Sequence, residues 1–103
     1  MELTGRTKED FESWAEENGL LYSGLPMQFI NTVILDFFDF VGIYVHVMPR
    51  FYKIIVYNRD ISGCDPNIVI ESEFYYDNRS LTIDAAIKQC NDIYNQNLFI
   101  QIY

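Results

Sequence analysis

The stretch LPMQFINTVILDFFDFVG, residues 25–42, decides the fold. Its apolar side chains recur at steps of three and four, which places them on one broad face of a helix. They are Phe29, Ile30, Val33, Ile34, Phe37, Phe38 and Val41. The polar residues Gln28, Asn31, Thr32, Asp36 and Asp39 fall mostly on the other side. Pro26 suits the start, where its missing N–H costs nothing, and Gly42 is a typical helix stop. The pattern predicts the central helix of a small domain.

Shorter patterns flank this helix. Residues 8–18 predict a first helix, with Thr7 as its cap. After Gly42 the apolar period changes from 3.6 to 2, so IYVHVM (43–48) and FYKIIVY (51–57) predict an antiparallel hairpin. NIVIESEFYY (67–76) predicts a third strand. Its core-facing residues are Ile68, Ile70 and Phe74, and its solvent-facing residues are Val69, Glu71, Glu73 and Tyr75.

The last helix is predicted over residues 82–96, with Thr82 as its cap, Cys90 on its apolar face and a frayed end at residues 95–97. The tail LFIQIY (98–103) alternates, and either adds a fourth strand at the sheet edge or pairs with another chain. The sequence therefore predicts a single α+β domain over residues 1–103, in the order α-α-β-β-β-α. Helices cover one face of its three-stranded antiparallel sheet.

The charge balance limits the partners. Fifteen acidic residues against seven Lys and Arg give a net charge of −8, which disfavours direct binding of nucleic acid or of an anionic membrane. The acidity either keeps the protein soluble or docks it on a basic partner. The first residues lack the pattern of a secretory signal. The two cysteines are typical of reduced thiols in a cytoplasmic protein.

The sequence offers little for chemistry. His46 is the only imidazole, there is no C-x-x-C motif, and the glycines are isolated, so neither a nucleophilic site nor a phosphate cradle is indicated. Asp36 and Asp39 share one side of the central helix, where they either form a solvated surface or hold a hard cation. We expect no enzymatic activity, no metal and no cofactor.

A recognition surface is the remaining interpretation. Residues 60–77 contain no Lys or Arg. We predict that Glu71, Glu73 and Tyr75 contact a partner, with Asp60 and Asp65 behind them, because tyrosine is enriched in interfaces. The alternative is that the glutamates only keep the exposed sheet face soluble and that the aromatic residues pack across strands.

One fold analogy concerns RNA. A helix, three strands and a helix is also the order of double-stranded-RNA-binding domains, which hold phosphates with lysines near the start of the final helix. Here residues 77–88 contain only Arg79 and Lys88 as basic residues. The charge therefore disfavours RNA binding, and the analogy concerns the fold alone.

Three segments carry a family resemblance: LTGRTKEDFESWAEEN with Phe11 and Trp14, ILDFFDFVGIYVHV around residues 37–44, and AAIKQCNDIYNQN around residues 92–95. Together they resemble a group of short, mostly uncharacterised phage and prophage proteins. The resemblance implies a phage origin and the functional class of anti-CRISPR inhibitors. It carries over no site residues. Residues 84–86 depart from the group's usual Arg-Gln-Glu-Ala, and the tail after Asn97 is extra.

Three hypotheses follow. The first is a non-enzymatic phage protein in the cytoplasm of a bacterial host that inhibits a defence nuclease, with a DNA- or RNA-targeting CRISPR effector as the first candidate. Such effectors hold nucleic acid in a positively charged channel. The second is a phage structural or assembly protein that pairs through residues 98–103. The third, disfavoured by charge, is an RNA-binding domain.

Overall fold

The computed structural model describes residues 3–20, 22, 24–56 and 68–96. Their elements are α1 (Gly5–Glu17), α2 (Met27–Val41), β1 (Ile43–Val47), β2 (Tyr52–Val56), β3 (Ile68–Glu71) and α3 (Arg79–Asn95). The predicted α+β class and element order are confirmed. The predicted tail strand, residues 98–103, lies outside the described residues. None of the helices in the described ranges is long and apolar enough to cross a bilayer.

The sheet is an antiparallel meander in the order β1-β2-β3. Its register places Val45 opposite Ile54 and Ile54 opposite Ile70, so one face is apolar. Helices α2 and α3 pack on this face, and α1 packs on the two helices. Since successive side chains of a strand point to opposite faces, the other face of the sheet lies away from the helices.

Helix α2 begins directly after Pro26 and stops at Gly42, whose φ of 93° is left-handed and favours glycine. Two side chains differ from the prediction. Phe29 is 54% exposed and Asn31 is buried. Asn31 lies on the side that faces the start of α3, where it lines a groove with Ile83. Because of the contact with α3, the buried side of the first turns of α2 is the side of Asn31 and not the predicted side of Phe29.

Helix α1 begins at Gly5, and Thr7 is not its cap but a buried residue inside the first turn. The Thr7 amide donates to Asn95 Oδ1 at 2.9 Å, and its hydroxyl, a single donor, lies 2.8 Å from the same oxygen and 3.1 Å from the Asn91 carbonyl. The Thr4 amide donates to Asn91 Oδ1 at 3.0 Å. We call these residues (Thr4, Thr7, Asn91 and Asn95) the asparagine clamp. Asn95 is thus fixed by hydrogen bonds, and the predicted fraying at this position is wrong.

A second polar contact joins the same two helices. The Tyr94 hydroxyl donates to Asp10 Oδ2 at 2.5 Å, and Arg6 Nε donates to the same oxygen at 3.2 Å. The Arg6 guanidinium also lies 5.5 Å from the centre of the Tyr94 ring. The buried Tyr94 therefore has a polar partner for its hydroxyl, as buried tyrosines usually do.

Helix α3 begins three residues before the predicted start. Its cap is Asn78, whose side chain accepts from the Leu81 amide at 2.9 Å. Thr82 is buried inside the helix, and its hydroxyl lies 2.9 Å from the Asn78 carbonyl and 3.2 Å from the Pro49 carbonyl. The predicted cap at Thr82 is therefore wrong, and this residue instead joins α3 to the turn between β1 and β2.

Candidate interaction surface

The face of the sheet that lies away from the helices carries two rows of side chains. The register aligns Tyr44, Ile55 and Val69 in an apolar row. The next row is polar and consists of His46, Lys53 and Glu71. One end of the sheet is thus apolar on this face, and the end nearer the hairpin turn is charged.

Glu71 is exposed, as the strand alternation predicts. Its side chain is 70% accessible, and its Oε1 lies 4.0 Å from Lys53 Nζ. An ion pair at this distance and exposure contributes little to stability. Glu71 therefore remains available to a partner. Residues 60–77 contain no lysine, but the cross-strand register brings Lys53 of β2 close to Glu71.

The chain after β3 is held at both ends by the hairpin. The Ser72 amide donates to the Tyr52 carbonyl at 3.0 Å, and the Tyr76 amide donates to the Arg50 carbonyl at 2.7 Å. Arg50 Nε returns a bond to the Tyr76 carbonyl at 3.0 Å. Residues 73–75 lie between these attachments. We call residues 71–76 the acidic-aromatic segment.

The middle of the acidic-aromatic segment is exposed. Glu73 is exposed, and Phe74 and Tyr75 are 68% and 75% accessible. The prediction that Phe74 faces the core is wrong, because β3 ends at Glu71 and the strand alternation ends with it. Two large aromatic side chains and two carboxylates therefore share one short exposed segment.

Tyr75 also packs within the protein. Its ring meets the ring of Phe51 edge to face, with centres 5.8 Å apart. Phe51 belongs to the turn between β1 and β2 and is itself exposed. The contact orients the Tyr75 ring without burying it. Tyr75 therefore packs on a neighbouring aromatic ring and is still exposed to a partner.

A cavity of about 340 Å³ lies beside the acidic-aromatic segment. Its lining consists of Tyr52, Ile70, Glu71, Glu73, Phe74, Tyr76 and Gln89. We call it the edge cavity. The rings of Tyr52 and Tyr76 stack with centres 6.2 Å apart. Burial, followed by the neighbouring Tyr76, raises the pKa of Tyr52 to about 12, so this phenol stays neutral at physiological pH.

The structure thus brings together three of the five predicted contact residues: Glu71, Glu73 and Tyr75. Asp60 and Asp65 lie outside the described residues. Sequence reasoning missed Tyr52, Phe74 and Gln89 as parts of this surface. The alternation in FYKIIVY indicates that Tyr52 is inward-facing, but no sequence signal shows that Gln89 of α3 lies beside it.

Other chemistry-bearing residues lie outside the acidic-aromatic segment. His46, Asp36 and Asp39 are exposed. Burial first, and then the charge of Asp36, raise the pKa of Asp39, while His46 lowers it. Burial raises the pKa of the Cys90 thiol well above its ordinary value. Within the described ranges, no three His, Cys, Asp or Glu side chains are placed to hold a metal ion.

Comparison of the chain with protein families, characterised proteins and solved structures finds no significant match. The resemblance to phage proteins therefore stays a prediction.

Proposed function

We propose that this chain is a non-enzymatic phage protein that binds and inhibits a host defence nuclease, with a CRISPR effector as its target. The observation that carries the proposal is the acidic-aromatic segment, in which Glu71, Glu73 and Tyr75 are exposed on a backbone tied to the hairpin at both ends. A segment held in this way loses less conformational entropy when it binds.

The charge of the protein fits such a target. RNA-guided nucleases hold their nucleic acids in a positively charged channel, and this chain carries a net charge of −8. Complementary charge speeds association and selects the partner, while the exposed aromatic rings supply contact area. In this proposal the protein binds the nuclease itself, neither nucleic acid nor a membrane, and acts in the cytoplasm of the bacterial host.

The test begins with affinity capture of the tagged protein from cells that express a panel of CRISPR effectors, with and without guide RNA. Any effector captured is then assayed for target cleavage. Binding with loss of cleavage supports the proposal. If binding requires guide RNA, the protein acts on the effector after the guide has been loaded. Absence of binding across the panel contradicts it.

Charge reversal locates the surface. The double variant Glu71→Lys/Glu73→Lys should lose inhibition, and Glu9→Lys/Glu12→Lys is the matched control, because Glu9 and Glu12 are exposed on α1. Both variants change the net charge by the same amount. Equal inhibition by the two variants would contradict the placement of the contact surface at the acidic-aromatic segment.

A further inference from the structure

The edge cavity exists because β3 extends beyond the helical layer. Helix α3 packs against β1 and β2 and, within the described ranges, makes no close contact with β3. The inner face of β3 at Ile70 is therefore only half-buried. The gap between Ile70 and Gln89 of α3 forms the cavity, and the acidic-aromatic segment forms its mouth.

The cavity has negative charge and aromatic walls. Its lining includes Glu73 and, at the mouth, Glu71, whose carboxylate lies 4.0 Å from Lys53 Nζ on the outer face of the sheet; Lys53 is not part of the lining. The phenol of Tyr52 is neutral, as its raised pKa indicates, and hydrogen-bonds to Tyr76. The negative charge at the site therefore comes from the two glutamates, and Phe74 and Tyr76 contribute aromatic side chains to the lining.

We propose that the edge cavity binds the guanidinium group of one arginine side chain of the protein partner. This inference rests on the proposed function, and it names the group that anchors the partner. Guanidinium is planar, pairs with carboxylates through two parallel hydrogen bonds and stacks on aromatic rings. Gln89 supplies a further carbonyl acceptor at the wall of the cavity.

Arginine fits this lining better than lysine. The ammonium group of lysine is a compact, strongly hydrated charge that does not stack, and the aromatic walls would replace its hydration poorly. A guanidinium over an aromatic ring is attracted by the ring quadrupole. The combination of two carboxylates with aromatic walls therefore selects for shape as well as for charge.

The test uses N-acetyl-arginine amide as the probe, titrated into the ¹⁵N-labelled full chain and followed by amide chemical shifts. We expect saturable shifts at residues 71–76 and at Gln89. N-acetyl-citrulline amide, which has the same shape but no charge, and N-acetyl-lysine amide should each bind about tenfold more weakly or worse, the loss of one charge-assisted contact. Equal binding of either analogue overturns the proposal.

Variants locate the site. Glu71→Gln/Glu73→Gln and, separately, Phe74→Ala should each weaken the arginine probe about tenfold, while Glu9→Gln/Glu12→Gln leaves its affinity unchanged. Phe74 is largely exposed, so its truncation leaves the core intact. Unchanged affinity in both site variants overturns the proposal.

The probe experiment and the nuclease experiment fail independently. If the protein inhibits an effector but does not bind the arginine probe at the edge cavity, the arginine inference is wrong and the proposed function stands. If the probe binds as expected but no effector is captured, the cavity is an arginine site and the proposed target is wrong.

Discussion

Removal of the Asn95 side chain tests the asparagine clamp directly. Asn95 Oδ1 accepts from both the amide and the hydroxyl of Thr7, and its Nδ2 donates to the Thr4 carbonyl at 3.0 Å. Asn95→Ala breaks all three bonds. The Thr7 hydroxyl keeps the Asn91 carbonyl as an acceptor, whereas the Thr7 amide loses its partner in a buried position.

The expected loss of stability follows from that amide. An unsatisfied buried donor costs about 1–3 kcal/mol, and loss of a side chain that caps a helix start costs about 1 kcal/mol. Both costs refer to the same hydrogen bond of the Thr7 amide and are therefore not additive. We expect the free energy of unfolding to fall by about 2 kcal/mol. For a domain of this size, this corresponds to a Tm lower by about 8–16 °C.

The assay is urea unfolding followed by circular dichroism, with thermal unfolding as a second measurement. Gln96→Ala is the matched control, because Gln96 is exposed and adjacent to Asn95, and it should change stability by less than about 0.5 kcal/mol. If Asn95→Ala and Gln96→Ala have the same midpoint and slope, the clamp contributes nothing and the reasoning is wrong.

Three further predictions concern single side chains. Asn31 Oδ1 is buried and has no hydrogen-bond partner among the described residues, so Asn31→Leu should raise the free energy of unfolding by about 1 kcal/mol. A lower free energy of unfolding for this variant, measured by chemical denaturation, would contradict this. The pKa of Asp39 is raised in the fold, so its ionised form lowers stability above its ordinary pKa. Asp39→Asn should therefore raise Tm at pH 7 but not at pH 3, and an equal effect at both values would refute the cause. In a Cys64→Ser background, burial of the Cys90 thiol and its raised pKa should prevent reaction with a thiol reagent until the protein unfolds; rapid labelling of the native protein would contradict this.

The sequence predicts the elements but not all their ends. Periodicity is sufficient for α2, since its apolar stripe, Pro26 and Gly42 all indicate the same helix. At α1 and α3, Thr7 and Thr82 resemble caps because they are hydroxyl residues that precede an apolar pattern. Each instead bonds a distant element, Asn95 or Pro49. Local sequence cannot distinguish these roles, because the partner lies far along the chain.

The candidate surface shows the same limit. Exposure of Glu71 follows from strand alternation, but alternation stops where β3 ends, and the prediction for Phe74 is wrong for that reason. The position of Lys53 opposite Glu71 depends on register. The presence of Gln89 in the edge cavity depends on how far α3 covers the sheet, which no periodicity within either element determines.

The asparagine clamp also has a consequence for folding kinetics. Its hydrogen bonds join residues 84 to 91 positions apart, whereas the β-hairpin joins neighbours in sequence. Closing so long a loop is entropically costly, so contacts of this kind tend to form late. We expect weakening of the clamp to accelerate unfolding and to leave the folding rate nearly unchanged, as for contacts absent from the transition state. The bonds between α1 and α3 would then determine how long the native state persists rather than how quickly it is reached.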